Sequence, residues 1–245
     1  MATFAQKFWE VYTPTMEGKG FKRKRSIFHK LVNDKIVQAL SYKQYSGSEF
    51  TIQFDFWPLC DGEDMIVFMD SNYLLPDIVP ELKYRDWSSE IGKCNDDLYE
   101  SLTHCKHSIL PYFDKITDYQ SYYDCMLKIN EDQGLSPAIA EIPNLDIRPY
   151  HYTLLALGQY ELALKAKQAE LNQNLQAMNS FAGFNSCTIS DHPRYGEYVE
   201  KLRYYEKLKV LIDSHNFDEI KQMISNNEEY SRKSYEKNFL GIKSV

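Results

Sequence analysis

Apolar positions at the start of the chain recur at helical steps. Phe4, Phe8, Val11 and Tyr12 share one face, and Gly18 and Gly20 follow as stop signals. This spacing predicts an amphipathic helix over 3–17, with Pro14 either bending it or opening its last turn. The hydrophobic period then shortens. "SIFHKLVNDKIVQALSYKQ" sets two β-rich runs on either side of Asn33-Asp34, a pair that tolerates positive φ, and predicts strands near 25–32 and 35–44. "EFTIQFDFW" alternates, with Phe50, Ile52, Phe54 and Phe56 on one face and Thr51, Gln53 and Asp55 on the other. Such alternation describes an antiparallel strand buried on one side and solvated on the other. "DMIVFMD", after the Asp61-Gly62 turn signal, predicts a further strand and completes a meander of about four.

Residues 72–93 show little periodicity and read as an ordered loop or short turns. Asn95 offers an N-cap, with Asp96 and Asp97 in the first turn, for a helix that stops before Pro111. Its apolar stripe is Leu98, Leu102, Cys105 and Ile109. An aromatic-rich helix is predicted over 119–130. Prolines and small residues then gather in 131–148, the expected linker. Beyond it strand signals vanish, and two stretches each read as helices meeting at a tight corner, at Gly158 and at His215-Asn216. Tyr160 and Phe217 open the helices after these corners. The first corner is similar to that of a tetratricopeptide repeat, but corners 57 residues apart do not make a 34-residue array. A flexible loop is expected over 180–194. The predicted fold class is therefore α+β. An antiparallel sheet of about four strands packs against helices in residues 1–130, with one face covered by the first and third helices. A linker over 131–148 and an all-α helical-hairpin domain over 149–245 follow.

Composition adds limits. With 245 residues, 43% hydrophobic and 26% charged, the chain can build a large core and does not resemble a disordered or fibrous sequence. A net charge of −7 disfavours general affinity for nucleic acid or anionic membrane. No run of about 18 apolar residues is present to span a bilayer, and the first 20 residues lack a secretory pattern. Five cysteines, odd in number, irregularly spaced and without a CxxC pair, read as reduced thiols in a cytoplasmic protein and leave no paired-ligand zinc motif. No cofactor and no metal are expected.

Candidate chemistry is sparse. In "THCKH", at about 100° per helical residue, Cys105 joins the core stripe while His104 and His107 fall away from it, so no local thiol–imidazole pair can form. "GKGFKR" lacks the third glycine of a dinucleotide fingerprint and follows a helix instead of preceding one. Charge is segregated: Lys19 to Lys30 holds six cations and no anion, while Asp61 to Glu100 holds eleven acidic residues against Lys83, Arg85 and Lys93. A basic run on a strand can protect a sheet edge or steer a polar partner. Aromatic content is 14% with 19 tyrosines. Tyr119, Tyr122 and Tyr123, and the pair Tyr204 and Tyr205, include members that cannot all face one core, which predicts that some lie at the surface, where tyrosine favours binding.

"GFKRKRSIFHKLVNDKIVQALSYKQYSGSEFTIQFDFW" has a helix ending in GF and a basic cluster, then a hairpin, then Gln44 before an "FTI" strand. With "RDWSSEIG" and "ILPYFDKI", it resembles the bacterial domain-of-unknown-function family numbered 4304 over roughly residues 4–130. The resemblance implies a small α+β domain, bacterial and intracellular, and supplies no catalytic residues. The expected function is a non-enzymatic protein-binding module of partner-neutralising or adaptor type. The alternative is an enzyme or binder of a small anionic ligand at the basic strand 19–30. In either case the candidate contacts are Lys22, Arg23, Lys24, Arg25, His29 and Lys30. These residues should converge in a pocket for a small ligand and splay on an open surface for a protein partner.

Overall fold

A computed structural model describes residues 2–45, 48–62, 73–74, 79, 82, 87–132, 150–185 and 187–241. Helix α1 (Phe4–Gly18) is fixed at its start by a capping box, in which Thr3 Oγ1 accepts from the Gln6 N–H and Gln6 Oε1 accepts from the Thr3 N–H. It runs through Pro14 without ending. The strands β1 (Lys22–Lys24), β2 (Ile27–Val32), β3 (Ile36–Tyr45) and β4 (Glu49–Pro58) form the antiparallel meander. The strand expected at 25–32 begins only at Ile27, because the chain turns at Arg25-Ser26 with Arg25 at φ 51°, and β1 before that turn is an additional strand. Asn33 and Asp34 both take positive φ, in a turn closed by the Lys35 N–H donating to the Val32 carbonyl at 3.0 Å. Two short strands, β5 (Tyr73–Leu74) and β6 (Trp87–Ser88), both pair with β4. The strand expected in "DMIVFMD" lies outside the described residues.

One face of the sheet carries Phe28, Ile36, Leu40, Phe50, Ile52, Phe54 and Phe56, all buried. Above it lie α1, α2 (Cys94–Ser108), α3 (Leu110–Lys115) and α4 (Tyr119–Asp132). Burying each of these large side chains stabilises the fold by about 2–3 kcal/mol before entropy is counted. Gln38, a buried polar side chain of β3 on this face, donates through Nε2 to the carbonyls of Phe113 and Ile116 at 2.6 and 2.8 Å, which ties down the end of α3. Helix α2 begins two residues earlier than an Asn95 cap implies, with Lys93 in the cap position. Asn95 instead accepts from Lys7 Nζ at 2.7 Å, and the Asp97 carboxylate accepts from the Ser88 N–H at 2.7 Å. Pro111 sits in the first turn of α3, where its missing N–H costs nothing.

The opposite face departs from expectation. Thr51 and Asp55 are buried, as are Val37, Ala39 and Trp57 beside them. A C-terminal helix covers Val37, Ala39 and Trp57. The C-terminal region consists of α5 (Tyr150–Ala156), α6 (Tyr160–Asn185), α7 (Tyr195–Asp213) and α8 (Phe217–Tyr235), which continues as a π-helical turn, Glu236–Leu240. The first half of α8 places Ile220 and Ile224 in the main core with Leu154, Leu208 and Ile212. Its end lays Tyr235 and Phe239 over Val37, Ala39, Trp57 and Leu59. Between these contacts α8 passes the end of the sheet. There Glu228 pairs with Lys35 at 2.6 Å, Arg232 with Asp34 at 3.1 Å, and Asn227 Nδ2 donates to the Cys60 carbonyl at 3.0 Å.

Both predicted helical corners are present, with Gly158 at φ 71° and His215 at φ 55°. Tyr160 and Phe217, which open α6 and α8, stack on each other with ring centroids 4.4 Å apart and planes 6° from parallel. The loop expected over 180–194 is largely regular instead. Helix α6 continues to Asn185, and a 3-10 turn, Ile189–Asp191, precedes α7.

Candidate functional site

The basic segment forms the β1–β2 hairpin at one edge of the sheet. Phe21, buried against the Phe113 ring at 5.1 Å, anchors its entry. Register then sets which side each cation takes. Lys22 lies opposite His29, Arg23 opposite Phe28 and Lys24 opposite Ile27. Directly paired residues share a face, so Arg23 stands on the α1 side and Lys22 and Lys24 on the other. The Arg23 guanidinium sits 5.2 Å from the Trp9 ring centre. Lys30 also turns to the α1 side, where its Nζ donates to the Lys19 carbonyl at 2.9 Å and lies 5.8 Å from the Phe21 ring.

His29 points inward on the second face, 1% exposed. Its Nδ1 lies 2.9 Å from the Tyr235 hydroxyl and its ring 4.8 Å from that of Phe239. Burial, and then the charges of Lys22 and Lys24, push its pKa down to about 4, so the imidazole is neutral at pH 7. A ligand in solvent reaches Lys22, Arg23, Lys24 and Arg25 but not this ring. Lys19 pairs with Asp114 at 2.6 Å. Among the described residues, none of Lys22, Arg23, Lys24 and Arg25 has a carboxylate within ion-pair distance.

A second polar assembly lies within the helical region. Glu170 accepts from Lys167 at 2.7 Å and from Lys201 at 2.8 Å, and the Lys167 ammonium is 5.4 Å from the Tyr204 ring. Burial lowers the Lys167 pKa, and the two lysines hold that of Glu170 down against its own desolvation. A crevice of about 480 Å³ opens between α6 and α7, lined in part by Glu161, Lys165, Gln168, Asn172 and Tyr205. Another of about 200 Å³ lies further along the same helices, beside His192, Arg194, Tyr198 and Lys201. At this end α6 exposes Phe184 at 90% and Phe181 at 36%, next to Tyr195 at 37%. Phe181 meets the edge of the His192 ring at 4.6 Å.

Two thiols, Cys60 and Cys105, are held away from reactivity. Cys105 is buried in the core beside the Tyr12 hydroxyl at 3.7 Å, and burial pushes its pKa up to about 12. Burial and then Asp61 raise that of Cys60. Both effects favour the thiol over the nucleophilic thiolate. As the helical geometry implies, His104 and His107 lie off the buried stripe. His104 is near Trp87, with ring centres 6.2 Å apart, and His107 Nδ1 is 2.8 Å from the Thr103 carbonyl. Among the described residues, no group of three or more His, Cys, Asp or Glu side chains could hold a metal ion, and no helix is long and apolar enough to cross a membrane.

Two expectations fail at the aromatic residues. Tyr119, Tyr122 and Tyr123 are all buried, because α4 is enclosed by the sheet-side core and by residues of the C-terminal helices. Tyr119 donates to Glu228 Oε1 at 2.7 Å. The exposed rings are instead Tyr45, Tyr99, Tyr195, Tyr230, Phe181 and Phe184. Sequence reasoning missed Phe181 and Phe184 by assigning 180–194 to a loop. The available signal was their spacing of three residues in 177–185, a stretch with alanines and no proline.

No protein-family model, no curated protein and no solved structure matches this chain.

Proposed function

We propose that the protein is a non-enzymatic protein-binding module of partner-neutralising or adaptor type. The observation that carries this reading is the aromatic tip of α6. Phe184 is almost wholly in water, Phe181 lies one turn before it, and Tyr195 opens α7 beside His192. Isolated exposed apolar residues are ordinary. Two phenylalanines one turn apart at the end of a 26-residue helix, with Tyr195 opening the next helix, give an anchor that loses its hydration cost when a partner covers it. The basic residues fit the same reading, since Arg23 stands on one face of the sheet and Lys22 and Lys24 on the other, which does not favour a single pocket for a small anion.

The test is affinity capture from the source cells with the wild-type chain and with the double variant Phe181→Ser/Phe184→Ser, its folding verified by thermal melting. One protein recovered in stoichiometric amount by the wild type and lost by the variant is the expected result. A tightly held metabolite in place of a protein, or a partner retained equally by the variant, overturns the reading.

A further inference from the structure

We propose that the tip of the β1–β2 hairpin is the docking element for an acidic cleft on a partner protein, an inference that rests on the protein-binding reading and names the partner's chemistry. Lys22, Arg23, Lys24 and Arg25 are consecutive in a chain of net charge −7, and none has a carboxylate within ion-pair distance among the described residues. Like charges held this close repel one another, so the folded chain retains an unfavourable local field that an external anion relieves. The positive side chains of Lys19 and Lys35 show the contrast. Each is neutralised at 2.6 Å, by Asp114 and by Glu228.

The shape of the element specifies the complement. β1 pairs with β2 alone among the described strands, and the cations leave the hairpin on both sides of it and from its turn. A convex element charged on two sides fits a concave surface with carboxylates on both walls. Edge protection against strand pairing needs one charge on the strand and does not account for four in succession.

Protein carboxylates fit better than a nucleic acid. The aromatic rings beside the cations are already occupied. Trp9 lies under Arg23 and packs edge-on to Phe28 at 5.0 Å, while Phe21 and Phe28 are buried. Among the described residues, no ring next to the hairpin is left as a platform for base stacking, the usual companion of a basic track for single strands. Four residues would span only about 13 Å even if fully extended, a footprint suited to a few carboxylates. The net charge repels a long polyanion.

The experiment measures fluorescence anisotropy of a labelled oligoglutamate peptide and of a single-stranded oligonucleotide of equal charge, titrated with the full chain. Wild type is compared with Arg23→Glu/Arg25→Glu and with Lys22→Gln/Lys24→Gln, each verified by circular dichroism and melting. The peptide is expected to bind, to lose about tenfold in affinity with the charge reversal and several-fold with the neutral pair, and to weaken as salt rises. Tighter binding of the oligonucleotide overturns the assignment to protein. Equal peptide binding by wild type and both variants overturns the assignment to the hairpin. A partner captured from cells equally well by Arg23→Glu/Arg25→Glu overturns this inference alone, whereas a wild-type chain that captures no protein overturns the protein-binding reading with it.

Discussion

The two faces of the sheet are both buried but by different means. On the α1 side, aromatic residues alternate along β4 and pack under four helices drawn from residues 4–132. On the other side a small cluster of Val37, Ala39, Trp57 and Leu59 shares the face with His29, Thr51 and Asp55, and its cover comes from Tyr235 and Phe239. The first face could collapse from nearby segments alone. The second depends on a helix reached by a hydrogen bond spanning 206 residues of sequence. Burial on one face therefore follows local pattern, and burial on the other follows tertiary closure, so the two should respond differently to perturbation.

The largest expected effect is on the first face. Phe54→Ala should cost about 3–5 kcal/mol in urea unfolding, since the ring is 1% exposed within the main cluster. Phe239→Ala should cost about 2 kcal/mol and selectively raise hydrogen exchange in 235–240, because the satellite cluster is smaller and its edge can relax. Equal costs at the two sites would break the contrast. Acid provides a third comparison. The folded-state pKa of His29 lies near 4, below the ordinary 6.5, so its contribution is full above pH 6.5 and is lost as pH falls towards 4. Lys22 and Lys24 face it and Tyr235 bonds it. After allowance for solvent screening the loss is about 1–2 kcal/mol, read as a fall in urea midpoint that His29→Gln does not share. The smallest effect is expected where α8 passes the sheet end. Glu228→Gln should cost about 1 kcal/mol, since it weakens the bonds from Lys35 and Tyr119 without emptying space.

What the amino-acid pattern revealed follows the same division. The alternation of Phe50 to Phe56, the stripe through Cys105 and the corners at Gly158 and His215-Asn216 are set by neighbours within a few residues, and the structure contains each of them. Val37, Ala39 and Trp57, on the face of Thr51 and Asp55, are covered by Tyr235 and Phe239, which lie far away in sequence. Tyr119, Tyr122 and Tyr123 looked too many for one core because α4 is enclosed on more than one side. At the candidate site, the charge of 19–30 was plain from composition. Its partition between faces was not, since the turn at Arg25-Ser26 decides which cations share the side of His29. The aromatic tip was obscured by a loop assignment, which hid the one-turn spacing of Phe181 and Phe184.

The passage of α8 around the sheet end has a consequence for biosynthesis. Strands emerging early from a ribosome must wait, with Val37 and Trp57 unsealed, until residues 217–240 have cleared the exit tunnel. A polypeptide lacking residues 217–240 would keep that adhesive flank open to chaperones and proteases.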